Sequence, residues 1–126
     1  MNQQVHVTEV EKFAIWGNHS PTMYPDITNC TVAGKSATQL LDRSWYESEF
    51  IPRVQQRGAE IIEARKLSSA ASAGSASMDH VRDWAKGSGN DWVSMAVPSD
   101  GSYGVPEGVL FSYPCTCPGD GTYKIV

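Results

Sequence analysis

The residue in this sequence whose type and surroundings best suit proton transfer is His19, in the stretch WGNHS at residues 16–20. A histidine titrates at about pH 6.5, so it can hold or release a proton at neutral pH, as general acid or base catalysis requires. Most histidines are nevertheless not catalytic, and an ordinary loop histidine among polar neighbours explains this stretch as well. His6, in the polar start of the chain, and His80, on a predicted helix, are weaker candidates.

A second chemistry would join His19 to Ser20 and Asp26 as a nucleophilic triad. The hydroxyl and the carboxylate lie close in sequence, but the chain contains no G-x-S-x-G turn. Neighbouring residues on a loop also rarely point at one another. The sequence therefore argues against a hydrolase.

The three cysteines offer thiol or metal chemistry only if their spacing allows it. Cys115 and Cys117 are separated by one residue, which is too short for an unstrained disulfide. Zinc-binding pairs usually have about two to four residues between them. We expect free thiols, no metal site and a reducing compartment.

Guanidinium groups are natural binders of carboxylates, because they offer two parallel donors. The chain has five arginines: Arg43, Arg53, Arg57, Arg65 and Arg82. On helices such residues usually form a solvated face, which is the simpler interpretation. The glycines Gly101, Gly104 and Gly108 lie between predicted strands and do not open a helix, so the sequence predicts no nucleotide site of its own.

The elements that position these side chains belong to one domain, because 126 residues is a common domain size. The content of 40% hydrophobic and 19% charged residues is typical of a folded, soluble protein. A net charge of −4 without any Lys/Arg-rich run argues against nucleic-acid or anionic-membrane partners. Neither a run of about 20 apolar residues nor a signal peptide is visible, so we expect a cytoplasmic protein.

Short strands and turns are predicted around His19. An apolar run at residues 12–16 predicts a buried strand that ends at Gly17 and leaves His19 in the following loop. Residues 21–26 are predicted as a turn and residues 28–33 as a second strand. Residues 36–41 are predicted as a brief helical turn capped by Ser36.

Two helices are predicted in the middle of the chain. The first spans residues 44–67 and is amphipathic, with Pro52 in its first turn or marking a break near its start. The second spans residues 69–86 and carries a stripe of small residues, which we interpret as packing on the first helix. The stripe consists of Ala70, Ala73, Gly74, Ala76, Val81 and Trp84.

The last third of the chain predicts a meander of antiparallel strands. Apolar segments at residues 91–97, 109–113 and 123–126 are separated by turns rich in glycine and proline. Helices in the middle and strands at both ends, without regular alternation, indicate an α+β fold of long helices packed on an antiparallel sheet.

Four blocks of sequence resemble, in order and spacing, the catalytic C-terminal domain of NAD-dependent malate dehydrogenase. The closest likeness is to the cytosolic and bacterial type within the lactate/malate dehydrogenase superfamily. The blocks are IWGNHSPTMYPD (15–26), QRGAEIIEARKLSSAASA (56–73), HVRDW (80–84) and PSDGSYGVPEGV (98–109). The resemblance implies that residues 1–126 are a partial substrate domain, without the N-terminal NAD-binding Rossmann domain and the C-terminal helix of the family.

The resemblance also implies an activity and its site residues. In the family, the histidine of WGNHS, here His19, is the general acid/base in the reversible oxidation of (S)-malate to oxaloacetate with NAD, a reaction of the tricarboxylic acid cycle. Ser69 matches a position that lines the substrate pocket near the nicotinamide, and Ser68 lies beside it. The family commonly forms homodimers.

Other groups that the family needs are missing from these residues, among them the aspartate that orients the histidine. We therefore expect the isolated chain to be inactive. The alternative interpretation is a non-enzymatic remnant domain that acts in dimerisation or partner binding.

Overall fold

The computed structural model describes residues 5–126, and the first third of the chain forms short antiparallel strands. Strands β1, β4 and β5 make one small sheet in that order, and β2 and β3 form a hairpin. Their bounds are β1 Val10–Glu11, β2 Ala14–Trp16, β3 Tyr24–Asp26, β4 Thr31–Val32 and β5 Lys35–Ser36. The strands predicted at residues 12–16 and 28–33 are therefore present in shorter form. Residues 1–4, the start of the polar stretch in which no signal peptide is predicted, lie outside the described residues.

Strand β3 occupies residues that the sequence predicts as a turn, and this part of the prediction is wrong. The misleading signal is Pro25, which cannot donate a hydrogen bond to a neighbouring strand. Pro25 lies opposite Ile15 in the hairpin. Alternate pairs in an antiparallel ladder exchange no hydrogen bonds, so proline is tolerated at this position. Its ring is among the largest fully buried side chains, which explains why an apolar ring suits this strand.

One long helical segment runs from Arg43 to Arg65, as the sequence predicts. It consists of α2 Arg43–Trp45, a π-helical turn Tyr46–Phe50 and α3 Ile51–Arg65. Pro52 follows the π-turn directly. A proline inside a continuous α-helix clashes with the carbonyl four residues earlier and leaves that carbonyl without its donor. The π-turn shifts the pairing so that the Ile51 N–H bonds to the Tyr46 carbonyl, and Pro52 lies in the first turn of α3, which is one of the two predicted placements.

The short helix α1 Ala37–Leu40 corresponds to the helical turn predicted at residues 36–41. Ser36 precedes it, but the Ser36 hydroxyl lies 2.8 Å from the Thr38 hydroxyl and binds no backbone N–H at the helix start. The turn is held instead by burial of Ala37, which is 1% exposed. It belongs to a small apolar cluster: Ile27, Cys30, Ala37 and Tyr46.

Helix α4 Ala71–Lys86 begins close to its predicted start, but its small residues do not pack on the preceding helix. No residue of α4 is buried, and a Cβ added at Gly74 would meet nothing within 4 Å in the described part of the chain. Met78, Val81 and Trp84 are 70%, 57% and 41% exposed. A stripe of small residues predicts close approach to another element without saying which, and no described element of this chain covers it.

None of the described helices is long and apolar enough to span a bilayer.

The C-terminal strands form the predicted antiparallel meander and hold the main core. Their order is β6-β7-β8, with bounds β6 Val93–Pro98, β7 Leu110–Thr116 and β8 Lys124–Ile125. The buried cluster in this sheet consists of Met95, Val97, Tyr113, Cys115 and Cys117. Helices in the middle and antiparallel strands at both ends confirm the α+β class.

The three cysteines are free thiols, and all are buried. Burial raises the pKa of Cys115 to about 11 and also raises the pKa values of Cys30 and Cys117. A thiol with a raised pKa stays protonated at neutral pH and is a poor nucleophile and a poor metal ligand. Their contribution is therefore apolar packing.

We expect Gly119→Ala to destabilise the fold by about 2–5 kcal/mol. Gly119 has φ +95°, and a Cβ there would lie 2.8 Å from the backbone carbon and oxygen of Lys86, at the end of α4. Gly34→Ala is the matched control, because Gly34 also has positive φ, at +74°, but has nothing within 4 Å among the described residues. The control should cost only the backbone strain, about 1–2 kcal/mol. If urea unfolding showed that both variants lose the same free energy of unfolding, the close contact at Gly119 would be contradicted.

Candidate functional site

His19 lies in the loop at the tip of the β2–β3 hairpin, where its side chain is exposed. The loop begins at Gly17, whose φ of +96° is a conformation that side-chain-bearing residues rarely adopt. The imidazole has no hydrogen-bond partner among residues 5–126. Both ring nitrogens are therefore open to an incoming molecule.

The Ser20 and Thr22 side chains of the loop bond to one another and not to His19. The Ser20 hydroxyl lies 2.7 Å from the Thr22 hydroxyl, and the Met23 N–H donates to the Ser20 carbonyl at 3.1 Å. Asp26 is engaged elsewhere, at the base of the hairpin. No hydrogen bond therefore connects the three residues of the conceivable triad within the described part of the chain.

Asp26 ties the two strands of the hairpin together. Its carboxylate accepts a hydrogen bond from the Trp16 indole at 3.0 Å and another from the Thr28 N–H at 2.8 Å. Burial alone would raise the pKa of Asp26, but the hydrogen bonds from Thr28 and Trp16 outweigh burial and lower it. The folded hairpin thus stabilises the charged form of the Asp26 carboxylate.

We expect Asp26→Asn to remove about 1 kcal/mol of stability at neutral pH and less in acid. Because the folded pKa lies below the ordinary value of 3.8, the carboxylate stabilises the fold above that pH and loses this effect as the pH falls through the folded value. Urea unfolding of both proteins at about pH 7 and about pH 3 measures the difference. Glu63→Gln, on α3, controls for the loss of one negative charge. If Asp26→Asn lost the same free energy of unfolding at both pH values, the stabilising role of the charged Asp26 carboxylate would be contradicted.

Ser68 and Ser69 lie in the connection between α3 and α4. The Ser69 carbonyl accepts from the Ser72 N–H at 3.2 Å, at the start of α4, and the Ser68 carbonyl accepts from Arg65 at 2.9 Å. Neither hydroxyl is engaged within the described part of the chain. Among residues 5–126, no hydrogen bond joins either serine to His19.

The long helix runs towards the end of the hairpin that carries His19. Near its start the Tyr46 hydroxyl donates to the Pro25 carbonyl at 2.6 Å, and further along the Gln55 side chain donates to the Met23 carbonyl at 2.8 Å. The helix therefore passes β3 from its base to its tip. Helix α3 continues to Arg65, about 15 Å of helix beyond Gln55, and the connection that carries Ser68 and Ser69 follows it.

Most of the arginines lie in exposed interactions on their own helices. Arg43 pairs with Glu47, Arg57 with Glu60, and Arg82 with both Asp79 and Asp83. Exposed pairs of this kind contribute about 0–1 kcal/mol each. This arrangement favours the solvated-face interpretation over a carboxylate clamp.

Neither a metal centre nor a dinucleotide site is formed by the residues that the structure describes. Between residues 5 and 126 no group of three or more His, Cys, Asp or Glu side chains is placed to hold a metal ion. Both long helices begin without a glycine-rich turn after a strand, which a dinucleotide phosphate site of the Rossmann type requires. The described residues thus do not fit NAD, and we assign no cofactor-binding residue among them.

Sequence comparison identifies the family. The family profile described as lactate/malate dehydrogenase, alpha/beta C-terminal domain, matches residues 2–126. This chain belongs to the lactate/malate dehydrogenase family. The hairpin with His19, the helix pair and the C-terminal meander are thus elements of a lactate/malate dehydrogenase C-terminal domain.

Solved structures of lactate and malate dehydrogenases match this chain closely. Malate dehydrogenase from Naegleria fowleri is 49% identical, with a TM-score of 0.88, over 97% of this chain and 38% of that protein. Lactate dehydrogenase from Trichomonas vaginalis, in complex with NADH and oxamate, is 32% identical, with a TM-score of 0.87, over 97% of this chain and 39% of that protein. Malate dehydrogenase from Plasmodium falciparum shares the fold at 20% identity, with a TM-score of 0.82 over 97% of this chain and 40% of that protein.

The chain therefore spans less than half the length of the lactate and malate dehydrogenases that it matches. The exposed apolar side chains of α4 are consistent with a domain of a larger protein, because an apolar helix face without a partner in its own domain commonly packs on another part of the protein.

Proposed function

We propose that residues 1–126 are the substrate domain of an NAD-dependent malate dehydrogenase, which reversibly oxidises (S)-malate to oxaloacetate. The observation that carries the proposal is identity: the chain is 49% identical to the malate dehydrogenase of Naegleria fowleri but 32% identical to the lactate dehydrogenase of Trichomonas vaginalis, over the same 97% of its length.

His19 is the proposed general acid/base. Its open ring at the tip of the hairpin takes the hydroxyl proton of malate and returns a proton to the carbonyl oxygen of oxaloacetate in the reverse direction. Asp26 does not orient the ring, because its carboxylate is bound by Trp16 and Thr28, and the proposed orienting carboxylate comes from outside these residues. His19 therefore supplies one half of a proton relay.

Ser69 is the proposed substrate-binding residue of the helix connection, near the nicotinamide, with Ser68 beside it. Both hydroxyls are unengaged within residues 5–126, and both precede the N-terminus of α4, a 16-residue helix. A hydroxyl there can donate to a substrate carboxylate, and the helix dipole favours negative charge at the same end.

The proposed enzyme uses NAD, held outside the residues described here, and works as a cytoplasmic homodimer on malate and oxaloacetate. Buried, reduced cysteines support a reducing compartment.

The test compares two substrates in the full-length protein that contains this domain. With NADH, we expect oxaloacetate to be reduced with a kcat/KM at least about 100-fold higher than pyruvate, since differences of that size separate related substrates in a tuned site. Preference for pyruvate would instead support lactate dehydrogenase, the second candidate, because the Trichomonas enzyme matches the fold of this chain nearly as well, with a TM-score of 0.87.

The non-enzymatic alternative has a separate test. The DNA immediately upstream of the first codon should encode a glycine-rich strand, turn and helix in the same reading frame if the domain belongs to a dehydrogenase. A stop codon in that frame, together with no turnover of either substrate, would favour the remnant domain that acts in dimerisation or partner binding.

A further inference from the structure

The backbone of Ile15, four residues before His19, is held by two serine hydroxyls from the C-terminal sheet. Because Pro25 lies opposite Ile15 and has no N–H, this pair is a non-hydrogen-bonded pair of the hairpin. The N–H and C=O of Ile15 consequently point away from β3. The N–H donates to the Ser94 hydroxyl at 2.9 Å, and the carbonyl accepts from the Ser112 hydroxyl at 2.6 Å.

Ser112 holds the same strand at a second point, closer to the loop. The Ser112 N–H donates to the Gly17 carbonyl at 2.7 Å, and the Gly17 N–H donates to the Ser112 carbonyl at 3.3 Å. One residue of β7 thus fixes the backbone on both sides of Trp16. The Trp16 ring is packed at the same place, edge-on to Tyr103 and Tyr113 at centroid distances of 5.0 and 6.1 Å.

We propose that Ser112 is a positioning residue for His19. Its hydroxyl holds the Ile15 carbonyl and thereby fixes the position of the imidazole relative to the substrate. The proposal rests on the function proposed above. Only Asn18 separates Gly17 from His19, so a shift of the strand end passes to the imidazole with little chain to absorb it. A displacement of about 1 Å at a reacting group can lower the rate by about 100-fold.

The hydroxyl can be removed with limited damage to the sheet. Ser112→Ala leaves the ladder of β7 with β6 and both backbone bonds to Gly17 in place, and deletes only the bond to the Ile15 carbonyl. Ser112→Thr restores a hydroxyl at the same position on a strand that favours β-branched side chains.

The experiment uses the full-length protein with oxaloacetate and NADH. We expect Ser112→Ala to lower kcat by about tenfold or more with little change in KM, since His19 acts on the transition state and not on substrate binding. Proton transfer should also become more rate-limiting, so the ratio of rates in H₂O and D₂O should rise. Ser112→Thr should restore both values. A fraction of unfolded protein would lower kcat without changing the isotope ratio.

Ser88→Ala is the matched control. The Ser88 hydroxyl donates to the Asp91 carbonyl and accepts from the Cys117 N–H, so its loss weakens the same sheet without touching the hairpin. We expect a lower unfolding temperature but an unchanged kcat and isotope ratio.

Hydrogen exchange separates failure of this proposal from failure of the proposed function. The peptide covering residues 14–24 should exchange faster in Ser112→Ala than in the wild type, whichever substrate the protein uses. Unchanged exchange, or an active Ser112→Ala protein with wild-type kcat, would overturn the positioning role and leave the proposed function intact. A wild type without turnover of oxaloacetate or pyruvate would overturn the proposed function, and with it the role of Ser112 in catalysis.

Discussion

His19→Asn lowers the kcat for oxaloacetate reduction in the full-length protein by about 10² to 10⁴, the range expected for loss of general acid/base catalysis. Asparagine keeps a polar side chain of similar size in an exposed loop, but it cannot transfer a proton. Because the lost interaction acts in the transition state, KM should change much less than kcat. The decrease in NADH absorbance after rapid mixing with oxaloacetate measures both constants.

His6→Asn is the matched control for this substitution. The His6 side chain accepts a hydrogen bond at the start of the turn Val7–Glu9, a capping role that asparagine also fills well. We expect its kcat to equal that of the wild type. If His19→Asn retained more than about one tenth of the activity, the assignment of His19 as the general acid/base would have to be given up.

Local sequence signals predicted the loop of His19 but not the contacts that fix it. The apolar run before Gly17 placed His19 after a strand, and the structure agrees. Ser94 and Ser112 were not predicted, because they lie 79 and 97 residues away from Ile15 in sequence. The alternation of an antiparallel ladder around Pro25 implies that the Ile15 backbone faces outward, but it does not say which residues meet it.

The elements with strong periodicity were predicted well, and those with mixed signals were not. The long helix with Pro52 near its start follows from apolar spacing and from the lost N–H of proline, both of which act within one helical turn. The sequence predicts a turn where strand β3 lies, because Pro25 favours turns locally, whereas the burial of Pro25 depends on tertiary contacts such as the Tyr46 hydroxyl at its carbonyl. Roles for His19, Ser68 and Ser69 came only from resemblance, since residue type alone leaves each of them ambiguous.

Residues 1–126 produced alone should show no oxidation of NADH with oxaloacetate and should self-associate. The chain covers 38% of the length of the Naegleria malate dehydrogenase, and neither a nucleotide site nor an orienting carboxylate for His19 is formed by the described residues. Helices α3 and α4 and the connection between them also leave apolar side chains in solvent. Their exposed fractions are 54% for Ile62, 68% for Leu67, 70% for Met78 and 57% for Val81.

Sedimentation and binding of a hydrophobic dye test the second half of this prediction, because exposed apolar patches promote both association and dye binding. Substituting both Met78→Lys and Val81→Lys should reduce the two signals, since these residues lie three apart on one face of α4. Val7→Lys is the control, because Val7 is 76% exposed but belongs to the N-terminal turn Val7–Glu9 and not to either helix. A wild-type chain that sediments as a monomer and binds no dye would mean that the faces of α3 and α4 are stable in water, and the need for a covering partner would disappear.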